Sequence, residues 1–420
     1  MYNPKGGKIY IILFLLSYSI SLSAQDTLKI TLQQADSIFI SSNFSLLASS
    51  MNIEAQQARV IQAKLYPNPV FTADINAYDP ENNKVLHIGS TGQKSFQVEQ
   101  LILLGRKRKS EIEIAKTNAA IAELEFQQLT RQLKFQLRCD LYSAGLQQLL
   151  LSRYNSQLEL LNTLLSAYQV QADKGNIPLK EVVRLKGAYL KLNNDRSDLL
   201  RQYFDTQARL QTLLQTSSTV VFQFSELEIE QYIRQVPLDD IRSEALLSRP
   251  ELLIMQQNKS LAEQYLQYQK RLAVPDISLF ASYDQRSGAF NNQLNAGISI
   301  PLPLKNRNQG NIRSAYFQVR EAEYDLQKME SEMISTLQSA YAHYMQTITE
   351  YRKANVMYND DFEITVRGMT DNFQKRNVSI IEFIDFFESY NEVLTELTRI
   401  KIQLVVSAEQ LNLLTGKDIY

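Results

Sequence analysis

At 420 residues, with 44 Lys and Arg against 45 Asp and Glu and a formal net charge of -1 at pH 7, the chain lacks the basic footprint of a nucleic-acid binder. A single cysteine excludes any disulfide within the chain, and two histidines cannot supply the Cys/His clusters of a metal enzyme. Only 13 Gly and 10 Pro occur in this length, the bias of a chain built from long helices.

The chain opens MYNPKGGKIYIILFLLSYSISLSAQD: a basic start at Lys5 and Lys8, an apolar run from Ile9 to Ile20, and small residues before a cut after Ala24. Residues 1–24 are therefore expected to be a secretory signal peptide. The residue after the cut is Gln25 rather than a cysteine, so the mature chain is expected to carry no N-terminal lipid anchor. Beyond Ala24 no run of 18 apolar residues occurs. If the mature chain crosses a membrane, it must do so as strands of a closed barrel, because only a helix or a closed barrel satisfies its own backbone in lipid.

Residues 25–215 form a first repeat. Phe71, Ala73, Ile75 and Ala77 alternate with Thr72, Asp74 and Asn76, and Phe96, Val98 and Ile102 alternate with Ser95, Gln97 and Glu99. That period of two predicts a β-hairpin over about 69–104, with one apolar and one polar face and a long loop from Asp79 to Gly92. A long helix then spans about 106–174, DKGNIP turns the chain, and a second helix spans 178–215. Gly175 suits a left-handed helix end and Pro178 the first turn of the next helix. Cys139, inside the first helix, is expected to be a small buried residue.

Residues 216–247, TSSTVVFQFSELEIEQYIRQVPLDD onward, break the helical period and read as a connector around the helical body. Residues 248–420 then restate the first repeat. Pro275 answers Pro69 at an offset of 206, and Asn377 answers Asn176 at an offset of 201. The second β-hairpin falls at about 275–303, and long helices at about 308–375 and 379–415, joined by QKRNVS. A 4-3 spacing through Phe386, Tyr390, Val393, Leu397, Ile400, Leu404, Ser407, Leu411 and Leu414 predicts a coiled-coil seam. The same seam lies 201 residues earlier, from Leu185 to Leu213. Each partner helix would be roughly 100 Å long, a length suited to extended helical hairpins. His343 lies in one of them and reads as a packing residue.

Four strands per chain cannot close a membrane barrel, whose smallest form has about eight. Copies must then share one, and long helices that need lateral neighbours favour three copies over two.

YPNP (Tyr66 to Pro69), VEQLILLGRKR (Val98 to Arg108), SRPEL (Ser248 to Leu252), IPLPLKNRNQGNI (Ile300 to Ile312) and AEQLNLLTG (Ala408 to Gly416) resemble the TolC family of outer-membrane efflux proteins, closest to heavy-metal efflux channels of the CzcC/CusC type. The resemblance covers essentially all of the mature chain. It implies a mainly α fold with a small β part: long helical hairpins in the periplasm, and four transmembrane strands per protomer contributing to a 12-stranded barrel in a trimer. Pro301 and Pro303 would end the last strand, since neither can donate to a ladder, and with Lys305, Arg307, Gly105 and Arg106 they would mark the barrel-to-tunnel transition. Lys107, Arg108 and Lys109 would share that interface, or be ordinary solvated helix starts.

The resemblance also implies a homotrimer in outer-membrane lipid, working with a periplasmic adaptor and an inner-membrane resistance-nodulation-division pump, without cofactor or resident metal. Glu382 and Asp385 match the family's acidic ring at the periplasmic entrance, with Phe373 beside it; the plain alternative for the two carboxylates is a solvated helix face. Where the family has a gate arginine this chain has Val378, so closure would rest on another group such as Arg376. The helical tips Gly175, Asn176, Ile177 and Pro178, with Arg376, Asn377, Val378 and Ser379, would contact the adaptor. The alternatives are a type I secretion outlet of the same fold and a non-channel coiled-coil protein of the periplasm. An enzyme is the weakest reading: His87 and His343 stand without a nucleophile elbow, a phosphate loop or metal-spaced ligands.

Overall fold

A computed structural model describes residues 26–286, 289–358 and 360–420 of the chain; the predicted signal peptide lies outside the described residues. In chain order the elements are β1 (Thr27–Ile30), α1 (Leu32–Ser42), α2 (Phe44–Ala63), β2 (Val70–Ile75), β3 (Tyr78–Asp79), β4 (Lys84–Val85), β5 (Gln93–Ile102), α3 (Lys107–Asp173) and α4 (Leu179–Leu214). Then follow β6 (Thr219–Phe222), α5 (Glu226–Glu230), α6 (Leu238–Ser248), α7 (Pro250–Leu272), β7 (Ile277–Arg286), β8 (Phe290–Ser299), α8 (Gln309–Met357), α9 (Asp360–Gln374) and α10 (Ile380–Thr415). Helix dominates, as the composition predicts. Among the described residues no helix is long and apolar enough to cross a membrane.

The duplication reappears in the element bounds. α1 and α6 are both 11 residues long, and α4 and α10 both 36. Contacts nonetheless divide the chain across its repeats. One compact unit takes residues 26–43, Gln136–Tyr232 and Thr349–Val406; the other takes Phe44–Phe135, Ile233–Ile348 and Ser407–Tyr420.

The first unit holds a helical core in which Leu161, Leu185 and Phe383 are at most 1 % exposed, with Leu150, Tyr154, Leu192 and Phe387 around them. The predicted seam of α4 is buried at Leu185, Leu192, Leu199, Thr206, Leu210 and Leu213. That of α10 holds from Ile400 to Leu414 and at Tyr390, but nearer the turn Phe387 and Leu394 are buried in place of the predicted Phe386 and Val393, and Val393 faces outward. At this end of the helix the rings of Phe373 and Phe383 stack with centroids 4.2 Å apart. Also in this unit, β1 and β6 pair in parallel, Thr27 opposite Thr219, which turns part of the predicted connector into a sheet. Tyr142 packs edge-on against Phe222 and Phe224, with centroids 5.0 and 5.7 Å away. Gly145 makes room for them, since a Cβ there would lie 2.5 Å from the Phe224 ring.

Three local expectations are corrected. The single helix predicted over 308–375 is described as two, α8 ending at Met357 and α9 starting at Asp360. Cys139 is only partly buried, and His343 is exposed on α8 rather than packed.

The second unit carries a four-stranded antiparallel sheet in the order β2-β5-β7-β8. The register puts Ala73, Phe96, Tyr283 and Leu294 in one row, and Thr72, Gln97, Ser282 and Asn295 in the next, so one face is apolar and the other polar. Phe71, Phe96 and Tyr283 stack across the apolar face at 6.2 and 6.4 Å. Phe280 stands on the polar face over Gly297, where any Cβ would meet its ring at 2.3 Å. β5, β7 and β8 each have 10 residues, whereas β2 has 6, and β8 ends at Ser299, short of the hairpin end predicted at about 303. The ladder stops before Pro301 because neither Pro301 nor Pro303 has an N–H to continue it. Among the described residues β2 and β8 are each paired on one side only.

The long loop between β2 and β5 is itself folded. β3 and β4 pair within it, and His87, 7 % exposed, lies 2.7 Å through Nδ1 from Asp79 and 3.0 Å through Nε2 from Thr91. Hydrogen bonds from Asn82 first, then His87, pull the Asp79 carboxyl down to about 2.

Candidate functional site

The two turns that close the helical hairpins lie in the first unit and share one hydrogen-bond skeleton. In the first, Gly175 takes a φ of +76°, and Asn176 donates its N–H to Gln171 O and its Nδ2 to Gln171 Oε1 at 2.9 and 2.8 Å. In the second, Arg376 takes a φ of +63°, and Asn377 donates to Asn372 O and Oδ1 at 2.8 and 3.2 Å. A left-handed conformation that costs glycine nothing costs an L-residue about 1–2 kcal/mol. The second turn therefore carries strain that the first avoids.

The following helices start by different means. Pro178 caps α4 through its fixed backbone, without a side-chain bond. Ser379 instead caps α10: its Oγ accepts from Glu382 N at 3.3 Å, while Glu382 Oε2 accepts from Ser379 N at 2.9 Å. These bonds, the backbone one foremost, hold the Glu382 carboxyl below its ordinary value. Asp385 lies one turn further on the same exposed face and, with Arg184, Ile381 and Glu388, borders a shallow crevice.

Phe373 is placed differently. At 2 % exposure it is a core residue, stacked between Phe383 and Tyr168, the latter 5.6 Å away. The structure thus sets Glu382 and Asp385 together at the surface and Phe373 behind them. Ile177 and Arg376 line a crevice with Tyr168 and Phe373, so each of the two turns contributes to it.

At the base of the sheet in the second unit, Gly105 and Arg106 take φ values of +66° and +62°, and Asn308 in the second repeat takes +61°. Lys107, 5 % exposed, is ion-paired with Asp276 at 2.7 Å, and Asp276 also accepts from Leu104 N at 2.9 Å. Arg108 stacks over Tyr66 at 3.7 Å. These two cations are part of the local packing, whereas Arg106, Lys305, Arg307 and both prolines are exposed. The Lys107–Asp276 pair had no legible signal in the sequence, because its members are 169 positions apart.

Residues 241–416 match the family model described as outer membrane efflux protein. The cobalt-zinc-cadmium resistance protein CzcC of Cupriavidus metallidurans is 22 % identical over 297 residues, covering 70 % of this chain and 68 % of that one. A membrane protein from Pseudomonas aeruginosa superposes with a TM-score of 0.75 at 14 % identity, covering 92 % of this chain and 90 % of that one. CusC, solved in a study of folding and transmembrane channel formation, superposes with a TM-score of 0.75 at 15 % identity, covering 92 % of each chain.

Proposed function

We propose that three copies of the chain, whose residues 241–416 match the outer membrane efflux protein family model, build the exit duct of a tripartite efflux system. The observation that carries this is the sheet: four strands, an apolar face left bare, and an unpaired edge at β2 and at β8. Unpaired strand edges in hydrocarbon leave several kcal/mol of unmet hydrogen bonding each. Joining β8 of one copy to β2 of the next removes every edge and gives a closed barrel in the outer membrane. The polar faces would line its lumen and the helical hairpins would continue the duct into the periplasm.

Passive conduction needs no catalytic group. The energy would come from an inner-membrane resistance-nodulation-division pump, joined through a periplasmic adaptor that holds the turns at Gly175 to Pro178 and Arg376 to Ser379. The likeness to CzcC supports divalent metal cations as cargo. Glu382 and Asp385, exposed one turn apart, suit an acidic entrance ring when brought together threefold; Phe373 would support that entrance from behind rather than line it. Replacing both acids, Glu382→Ala with Asp385→Ala, should reduce the cation preference of single-channel current in planar bilayers several-fold. An unchanged preference would reject the ring.

A further inference from the structure

In the first unit, α3, α4 and α10 enclose a crevice of about 450 Å³. Its floor is apolar, with Leu150, Leu192, Leu199 and Phe387. Its rims are acidic: Asp195 and Asp198 from α4 face Glu388, Glu392 and Glu396 from α10, and Lys191 is the only basic side chain among the lining residues. Lys191 holds Glu388 at 3.1 Å and Glu392 at 3.8 Å. Asp198 pairs with Arg201, and Glu396 with Arg399. Asp195 has no basic partner of this kind among the described residues.

The neutral groups here are acceptors as well. Thr395 Oγ1 lies 2.8 Å from Asn391 O, to which it donates, and 2.6 Å from Tyr154 Oη. Burial, and after it the Asp195 charge, raise the Tyr154 hydroxyl above its ordinary value. Asn391, 8 % exposed, donates Nδ2 to Phe387 O at 3.0 Å, and its buried Oδ1 has no hydrogen-bond partner among the described residues. A buried acceptor without a partner costs about 1–3 kcal/mol, a cost that a bound donor would remove.

We propose that this crevice is a binding site for a primary or secondary organic ammonium ion. Its apolar body lies on the floor between Leu192 and Phe387, and its N–H groups face Asp195 and Asn391 Oδ1. Lys191, held by Glu388 and Glu392, shows that the rims already accept one ammonium group. A bare metal ion suits the site poorly, since no three His, Cys, Asp or Glu side chains among the described residues converge as ligands. Every lining residue belongs to one chain, so the crevice is complete within a single copy.

The test uses the purified full chain in nonionic detergent at low salt, with monodansylcadaverine, a fluorescent primary ammonium on an aromatic body, followed by anisotropy. Saturable binding is expected, at least tenfold weaker for the neutral N-acetylated probe. Asp195→Asn and Asn391→Leu should each weaken it several-fold, and the exposed Asp195 makes the first change safe for folding. No saturable binding, equal affinity for the acetylated probe, unchanged affinity in both variants, or displacement by equimolar Co²⁺ would each overturn the proposal.

Discussion

In the helical core of the first unit Leu161, Leu185 and Phe383 keep 1 % or less of their surface, whereas in the sheet of the second Phe71, Leu294 and Ile298 keep 64 % or more. Both regions spend the same kinds of apolar side chain, each worth about 25 cal/mol per Å² when taken from water. One chain completes the first region alone. The second leaves its apolar face exposed, and the row of Ala73, Phe96, Tyr283 and Leu294 shows how continuous that face is.

The sharpest way to break this contrast is to truncate one residue in each region. Phe383→Ala removes a stacked, fully enclosed ring and should cost about 3–5 kcal/mol in unfolding followed by the helical signal. Leu294→Ala should stay within about 0.5 kcal/mol in the same experiment. Equal losses would mean that the sheet is a core closed within the chain. Lipid replaces water in the next comparison: Leu294→Arg should destabilise the protein folded into vesicles by about 2–4 kcal/mol, and a neutral result would deny that this face meets hydrocarbon.

Smaller effects separate the two hairpin turns. Gly175→Ala forces a Cβ into a left-handed residue and should cost about 1 kcal/mol, while Arg376→Gly relieves the same strain and should stabilise by a similar amount, both read from thermal unfolding. Acid provides the finest distinction. Glu382 is held below its unfolded value, so its bonds to Ser379 stabilise α10 fully above that value and are lost as pH falls through the lower, folded value. Glu382→Gln should flatten this acid-side dependence in a stability–pH profile.

Much of this architecture was legible because periodicity and duplication are local properties. The offsets of 206 and 201 read from Pro69 and Asn176 reappear in the bounds of α1 with α6 and of α4 with α10. Alternation also placed the strands and their faces. What escaped depended on distance or on packing direction. β1 finds β6 across 192 positions, Lys107 finds Asp276, and Phe387 and Leu394 are buried where the spacing pointed to Phe386 and Val393. For the candidate site, sequence matching put Phe373 beside Glu382 and Asp385, but only the fold shows that its ring is enclosed and that Glu382 caps its own helix.

The central claim is that the sheet is finished by other copies of the chain. Native mass spectrometry of the protein extracted from outer membranes in mild detergent addresses it directly: the account predicts a complex of three chains that dissociates only under denaturing conditions. A single chain that stays dispersed in water after detergent removal would contradict it.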